Sequence, residues 1–141
     1  MSHDNCLFCK IIAGEIPSAK VYEDDEVYAF LDISQVTTGH TLIIPKQHVE
    51  NIYETNEDIA AATFARVPKV ANAIKKAFKP QGMNLLNNNG EFASQSVFHI
   101  HIHLIPRYDE TDGFDLKWEA RNDAFNEEDL AKIAADIQKE L

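Results

Sequence analysis

Three histidines alternate with apolar residues in His99-Ile100-His101-Ile102-His103-Leu104-Ile105. In a strand, that alternation sends His99, His101 and His103 to one face and Ile100, Ile102 and Leu104 to the other. The apolar face is expected to pack on a helix, which leaves the imidazoles for chemistry. Residues two apart sit roughly 6.6 Å apart, so the outer pair is separated by about 13 Å. Two such rings can converge on one ion, but three cannot without strain, so the row divides its labour. A neutral imidazole is a good nucleophile near neutral pH. To present Nε2, it must carry its proton on Nδ1 and donate it to an acceptor such as a backbone carbonyl.

The stretch before these histidines points the same way. Asn87-Asn88-Asn89-Gly90-Glu91 reads as a turn, and Gln95-Ser96 leads from it toward the imidazoles. Neutral amide and hydroxyl donors suit the oxygens of a transferring phosphate. Near the other end, Cys6-Leu7-Phe8-Cys9 has the spacing of half a zinc site, although a second close pair is absent. A redox pair would need a helix N-terminus following a strand, and nothing like that surrounds it. Two half-buried thiols are the plainer alternative.

The chain of 141 residues carries a net charge of −10, which repels nucleic acid and anionic membranes and leaves small anionic substrates open. Its 45% hydrophobic and 26% charged content is that of an ordinary globular protein. No secretory signal or membrane-spanning run is visible, so a cytoplasmic location is expected, with both thiols reduced.

Several elements must position these residues. A short helix is expected over 6–14, strands over 20–23, 27–33 and 41–44, and a long helix over 56–78. Ile59, Thr63, Val67, Val70, Ile74 and Phe78 make the apolar stripe of that helix, kinked near Pro68. Further strands are expected over 83–87 and 97–105, each of the strands at 41–44 and 97–105 ended by a proline. A last helix begins at Asn126 with Asp129 as its capping partner. Short connections between strands predict an α+β fold with a largely antiparallel sheet backed by the long helix. The chain is read as one domain, 1–141, with a core over about 6–107 and a tail and helix over 108–141.

The histidine row, with Gln95-Ser96 before it, resembles the signature of the histidine-triad (HIT) family. Asp32-Ile33-Ser34 and the run Gly39-His40-Thr41-Leu42-Ile43-Ile44-Pro45-Lys46-Gln47-His48 are similar to further family motifs in the family's order. The likeness is greatest to bacterial, Hint-like members. It implies a five-stranded antiparallel sheet, a homodimer joined through the long helix and one sheet edge, and binding of a purine nucleotide such as AMP or GMP. It further implies that His101 is the nucleophile of a nucleotidyl-histidine intermediate. His103 and His40 would line the phosphate site, with Ser96 near the leaving group. Gln95 and Asn88 would contact phosphate, and Asp32 would hold the ribose hydroxyls. In some members, and in related galactose-1-phosphate uridylyltransferases, a CxxC pair binds zinc with two histidines. Here those positions are Cys6, Cys9, His48 and His99, implying a structural Zn2+ distinct from the catalyst.

The activity so implied is hydrolysis or transfer on nucleoside 5′-phosphoramidates. Cleavage of dinucleoside polyphosphates shares the intermediate, and a nucleotide-binding scaffold with weak turnover is the reading from another class. Arg107 is left open between a surface cation and a phosphate contact, Phe114 and Trp118 are expected at the core edge, and His3 is expected in solvent.

Overall fold

A computed structural model describes residues 4–141 of the chain, so His3 lies outside the described residues. The sheet strands are β1 (Lys20–Glu23), β2 (Val27–Leu31), β3 (Thr41–Pro45), β4 (Gly82–Leu86) and β5 (Ile102–Arg107). They lie in the order β1-β2-β3-β5-β4, every neighbouring pair antiparallel. The helices are α1 (Leu7–Ile12), α2 (Glu57–Ala65), α3 (Val67–Phe78) and α4 (Glu127–Gln138). This is the α+β arrangement that the strand and helix periodicities predict.

Alternation along the middle strands divides the core in two. Ala29, Ile43, Ile102 and Leu104 face α3 and pack with Val67, Val70 and Ile74. Tyr28, Phe30, Leu42 and Ile44 face the other way, onto Phe8 and Ile11 of α1. Leu104 is fully buried. Leu104→Ala is therefore expected to cost roughly 3 kcal/mol, through lost transfer energy and a residual cavity. A urea midpoint within error of wild type would contradict that placement.

The long helix breaks where expected but starts again at once. Arg66 separates α2 from α3, and Pro68 falls within the first turn of α3, where its missing N–H breaks no helical bond. The Arg66 guanidinium grips Asp24 at 2.8 Å and Glu26 at 3.2 Å in the β1–β2 turn, tying the bend to the sheet. Phe78 is 48% exposed, so the buried stripe ends earlier than predicted. Its ring nevertheless closes over Gly39. There φ is +97°, and a Cβ would lie 3.2 Å from Phe78, so the close approach needs a glycine.

The strand boundaries differ most from expectation in β2 and β5, whereas β3 takes in Pro45 and β4 is shifted by one residue. β2 stops at Leu31, because Asp32 turns the chain by accepting the Ser34 N–H at 2.8 Å. β5 begins at Ile102 and runs through Pro106, where a strand over 97–105 was expected. The last β3–β5 pair is Thr41 with Leu104, so Pro106 sits beyond β3 with β4 beside it.

Candidate active site

The segment before β5 leaves the sheet ladder because other bonds capture its backbone. The Ile100 N–H donates to Val49 at 2.8 Å, and the Asn87 amide donates to the His101 carbonyl at 3.0 Å. The chain bends at residues 97–99 before it enters β5, and the three imidazoles follow one another along this path. His101 Nδ1 lies 2.8 Å from the His99 carbonyl, an acceptor only. Nδ1 therefore carries the proton and Nε2 the lone pair. The Phe8 ring meets the imidazole edge-on at 5.1 Å. Burial lowers the His101 pKa below the ordinary histidine value, against the His99 carbonyl, which raises it. The ring is neutral at pH 7.

A second chain of bonds sets the tautomers of the neighbouring rings. The Val36 N–H donates to His40 Nδ1 at 3.3 Å, so His40 carries its proton on Nε2. That Nε2 is 2.9 Å from His103 Nδ1, which must accept, leaving the His103 proton on Nε2. Adjacent rings thus have opposite character: His101 offers a lone pair at Nε2 and His103 a donor. Asp32 Oδ2 approaches His40 Nε2 at 3.5 Å and His103 Nδ1 at 3.9 Å. Burial lowers His40, and it pushes His103 down to about 4 with help from His101 and His40.

These depressed values fix a pH dependence. Unfolded imidazoles take up protons near pH 6.5, while the folded His103 resists until about pH 4. Stability is therefore expected to fall as pH drops between those values, since the unfolded state binds more protons there. Urea midpoints across that window check this, and His103→Asn should flatten the slope. A midpoint that rises on acidification would contradict a buried neutral ring.

His101, His103, Asp32 and Ser96 line one cavity of about 750 Å³, within the usual range for small-molecule sites. Its other wall is apolar, built from Leu7, Phe8 and Ile11 of α1 with Ile16, Phe30 and Leu42. His40 stands behind His103 and is 2% exposed. Gln95 and Asn88 are not part of the cavity lining. The Gln95 amide donates to the Glu50 and Val97 carbonyls and accepts from Gly90 N–H, so it braces the loop and has no group left for phosphate. Asn88 points its amide at Ser94 O, 3.4 Å away. Arg107 is also elsewhere, bound to Asn84, Asp112 and the Phe114 carbonyl, and the phosphate-contact reading is set aside. Phe114 lies under that guanidinium, whereas Trp118 is 77% exposed, away from the core edge where it was expected. Asn87 and Phe8, which position His101, were missed as site residues. Asn87 was visible only as part of a turn, and Phe8 only as an apolar helix residue.

On the far side of His99 lies a second cluster. Cys6, Cys9, His48 and His99 bring four ligand atoms within 4.8 Å of one another. His99 Nδ1 is 3.5 Å from Cys6 Sγ and 3.6 Å from Cys9 Sγ, and His48 Nδ1 is 3.4 Å from Cys9 Sγ. Zinc bonds of about 2.3 Å to sulfur and about 2.0 Å to nitrogen, at tetrahedral angles, place such atoms about 3.5 Å apart. His99 Nε2 donates to the Pro45 carbonyl at 2.8 Å, which turns the Nδ1 lone pair toward the sulfurs. The donor set and its spacing are those of a metal site.

Comparison with known proteins agrees with this geometry. Residues 13–110 match the family model described as the HIT domain. The chain is 59% identical over 138 residues to Protein hit of Bacillus subtilis, covering 98% of this chain and 95% of that protein. It is 39% identical over 144 residues to an adenosine 5′-monophosphoramidase of Candida albicans, covering 99% and 93% of the two chains. A crystal structure of a HIT family protein from Bacillus anthracis superposes with a TM-score of 0.96 at 56% identity, covering 99% of each chain. A zinc-bound histidine triad family protein from Mycobacterium smegmatis superposes with a TM-score of 0.72 at 33% identity, covering 97% and 98%. With its histidine row, its sheet and its matched span in accord, this chain belongs to the HIT family.

Proposed function

We propose that the chain hydrolyses nucleoside 5′-phosphoramidates, or transfers their nucleotidyl group, through a covalent intermediate on His101. The observation that carries this reading is the bond from His101 Nδ1 to the His99 carbonyl, which leaves a lone pair on Nε2 of a cavity-lining ring. Nε2 attacks the α-phosphorus as the P–N bond to the leaving amine breaks, and that amine takes a proton from solvent water. The new P–N bond places positive charge on the imidazole, and the His99 carbonyl stabilises it through Nδ1–H. Water then attacks phosphorus and releases a proton to solvent as the Nε2–P bond breaks, its electron pair returning to a neutral His101, with a nucleoside monophosphate as product.

The other groups divide the binding. His103, with its proton on Nε2, donates to a phosphate oxygen, and His40 holds it in that tautomer. Asp32 takes the ribose hydroxyls, Ser96 lies near the leaving group, and the apolar wall suits a purine ring. The likeness to an adenosine 5′-monophosphoramidase of Candida albicans supports this substrate class. Cys6, Cys9, His48 and His99 would hold a structural Zn2+, which would link three segments: α1 with its N-cap, the segment after β3 and the path into β5. Thiolate ligands require a reducing compartment, in keeping with a cytoplasmic location. No helix among the described residues is long and apolar enough to cross a membrane.

The chain is further read as one HIT domain with a C-terminal tail, forming a homodimer through the long helix and a sheet edge. Leu85 on the edge strand β4 is 53% exposed, as such a joint requires. Turnover of adenosine 5′-phosphoramidate, with rapid quenching and intact-mass analysis, tests the chemistry. A nucleotidyl adduct is expected on wild type and absent from His101→Ala. Turnover of dinucleoside polyphosphates alone would move the substrate class, and tight nucleotide binding without any adduct would favour a scaffold.

A further inference from the structure

Every residue from Asp115 to Leu141 is exposed in the single chain. Inside that segment α4 carries a capping box at its N-terminus: the Asn126 side chain accepts the Asp129 N–H, and the Asp129 carboxylate accepts the Asn126 N–H. Leu130, Ile133 and Ile137 are 56%, 41% and 61% exposed, at steps of three and four that align them in one stripe. A helix of about three turns is marginal in water by itself, and an uncovered stripe adds nothing to it. Among the described residues nothing buries this stripe.

Charge identifies what does. Residues 115–141 hold eight acidic side chains against four basic ones. α3 and its cap residue carry Lys69, Lys75, Lys76 and Lys79 and no acidic residue, within a chain of net charge −10. Phe64 near the end of α2 and Phe78 at the end of α3, 43% and 48% exposed, leave apolar surface on the same pair of helices as the lysines. Two copies that met through their long helices alone would bring these lysines toward one another. An acidic helix laid between them removes that repulsion.

We propose that α4 of one copy packs its Leu130–Ile133–Ile137 stripe over α2–α3 of a second copy, its carboxylates above the lysines, in a reciprocal exchange. Such an isologous arrangement uses each surface twice and closes at a dimer. The inference rests on the homodimer reading and adds the segment that locks it. Net negative charge on the stripe's flanks argues against an anionic membrane as the alternative cover.

Zero-length carbodiimide coupling of amines to carboxylates on the full-length protein tests the exchange. The dimer-mass band should yield peptides joining α3 lysines to Glu127 or Glu128, and the monomer-mass band should lack them. In sedimentation, Lys75→Glu with Lys76→Glu should weaken the dimer at least tenfold, and adding Glu127→Lys with Glu128→Lys should restore it. A dimer that persists without these cross-links, or is indifferent to the charge changes, overturns the exchange and leaves the homodimer reading standing. A monomer at micromolar concentration overturns both.

Discussion

His101→Ala is expected to lower turnover of adenosine 5′-phosphoramidate by about four orders of magnitude or more, because the two-step route disappears with its nucleophile. No neighbour replaces it. His103 Nδ1 is occupied by His40, and its other nitrogen carries a proton, so it has no lone pair to offer phosphorus. His99 lies with Cys6 and Cys9 on the far side of the path. Binding of the product nucleotide should survive within about tenfold, since Asp32, His103 and Ser96 still line the cavity. His101→Gly with added imidazole should recover part of the rate, as a diffusible ring can occupy the vacated space. Near wild-type turnover in His101→Ala would mean that the triad is not the engine.

Removal of the metal is expected to have the second largest effect, and on stability more than on chemistry. Four ligands from α1, the segment after β3 and the approach to β5 leave no open position for water, so the ion would hold chain segments together and activate nothing. A chelator should lower the melting temperature by about 10 °C, matching a loss of roughly 3 kcal/mol in a domain of this size. The folded fraction should keep most of its intrinsic rate. Cys9→Ser should purify with less than one zinc per chain and melt early without chelator. Protein that contains no zinc after anaerobic, metal-replete expression would sink the assignment.

How much of this was legible beforehand differs between residues for physical reasons. The alternation of Ile102 and Leu104 with the histidines reports burial directly, so the sheet face and its helix could be read from it. The boundary of β5 could not be read, because the alternation of apolar and polar residues runs on through 97–101 although the backbone there bends out of the ladder. Val49 and Asn87 capture the backbone near His101, and nothing local encodes such long-range capture. Gln95 shows the converse limit. Its residue type fits a phosphate contact, yet its amide is spent on Glu50, Val97 and Gly90, and only the folded loop reveals that. The division of labour among the histidines needed only strand geometry. Which ring carries its proton on which nitrogen needed the structure.

His99 takes part in two arrangements through two different parts of itself. Its ring belongs to the sulfur cluster, while its carbonyl accepts the hydrogen bond from His101 Nδ1–H. A genetic screen would see these very differently. Replacement of the ring is an ordinary missense change, open to selection and to loss. No codon at position 99 removes the carbonyl, so the tautomer of the nucleophile is inherited with the path of the chain. Lineages can therefore discard the cysteines and the metal and still pass on a reactive histidine, whereas an insertion or deletion between 99 and 101 would disable it at once.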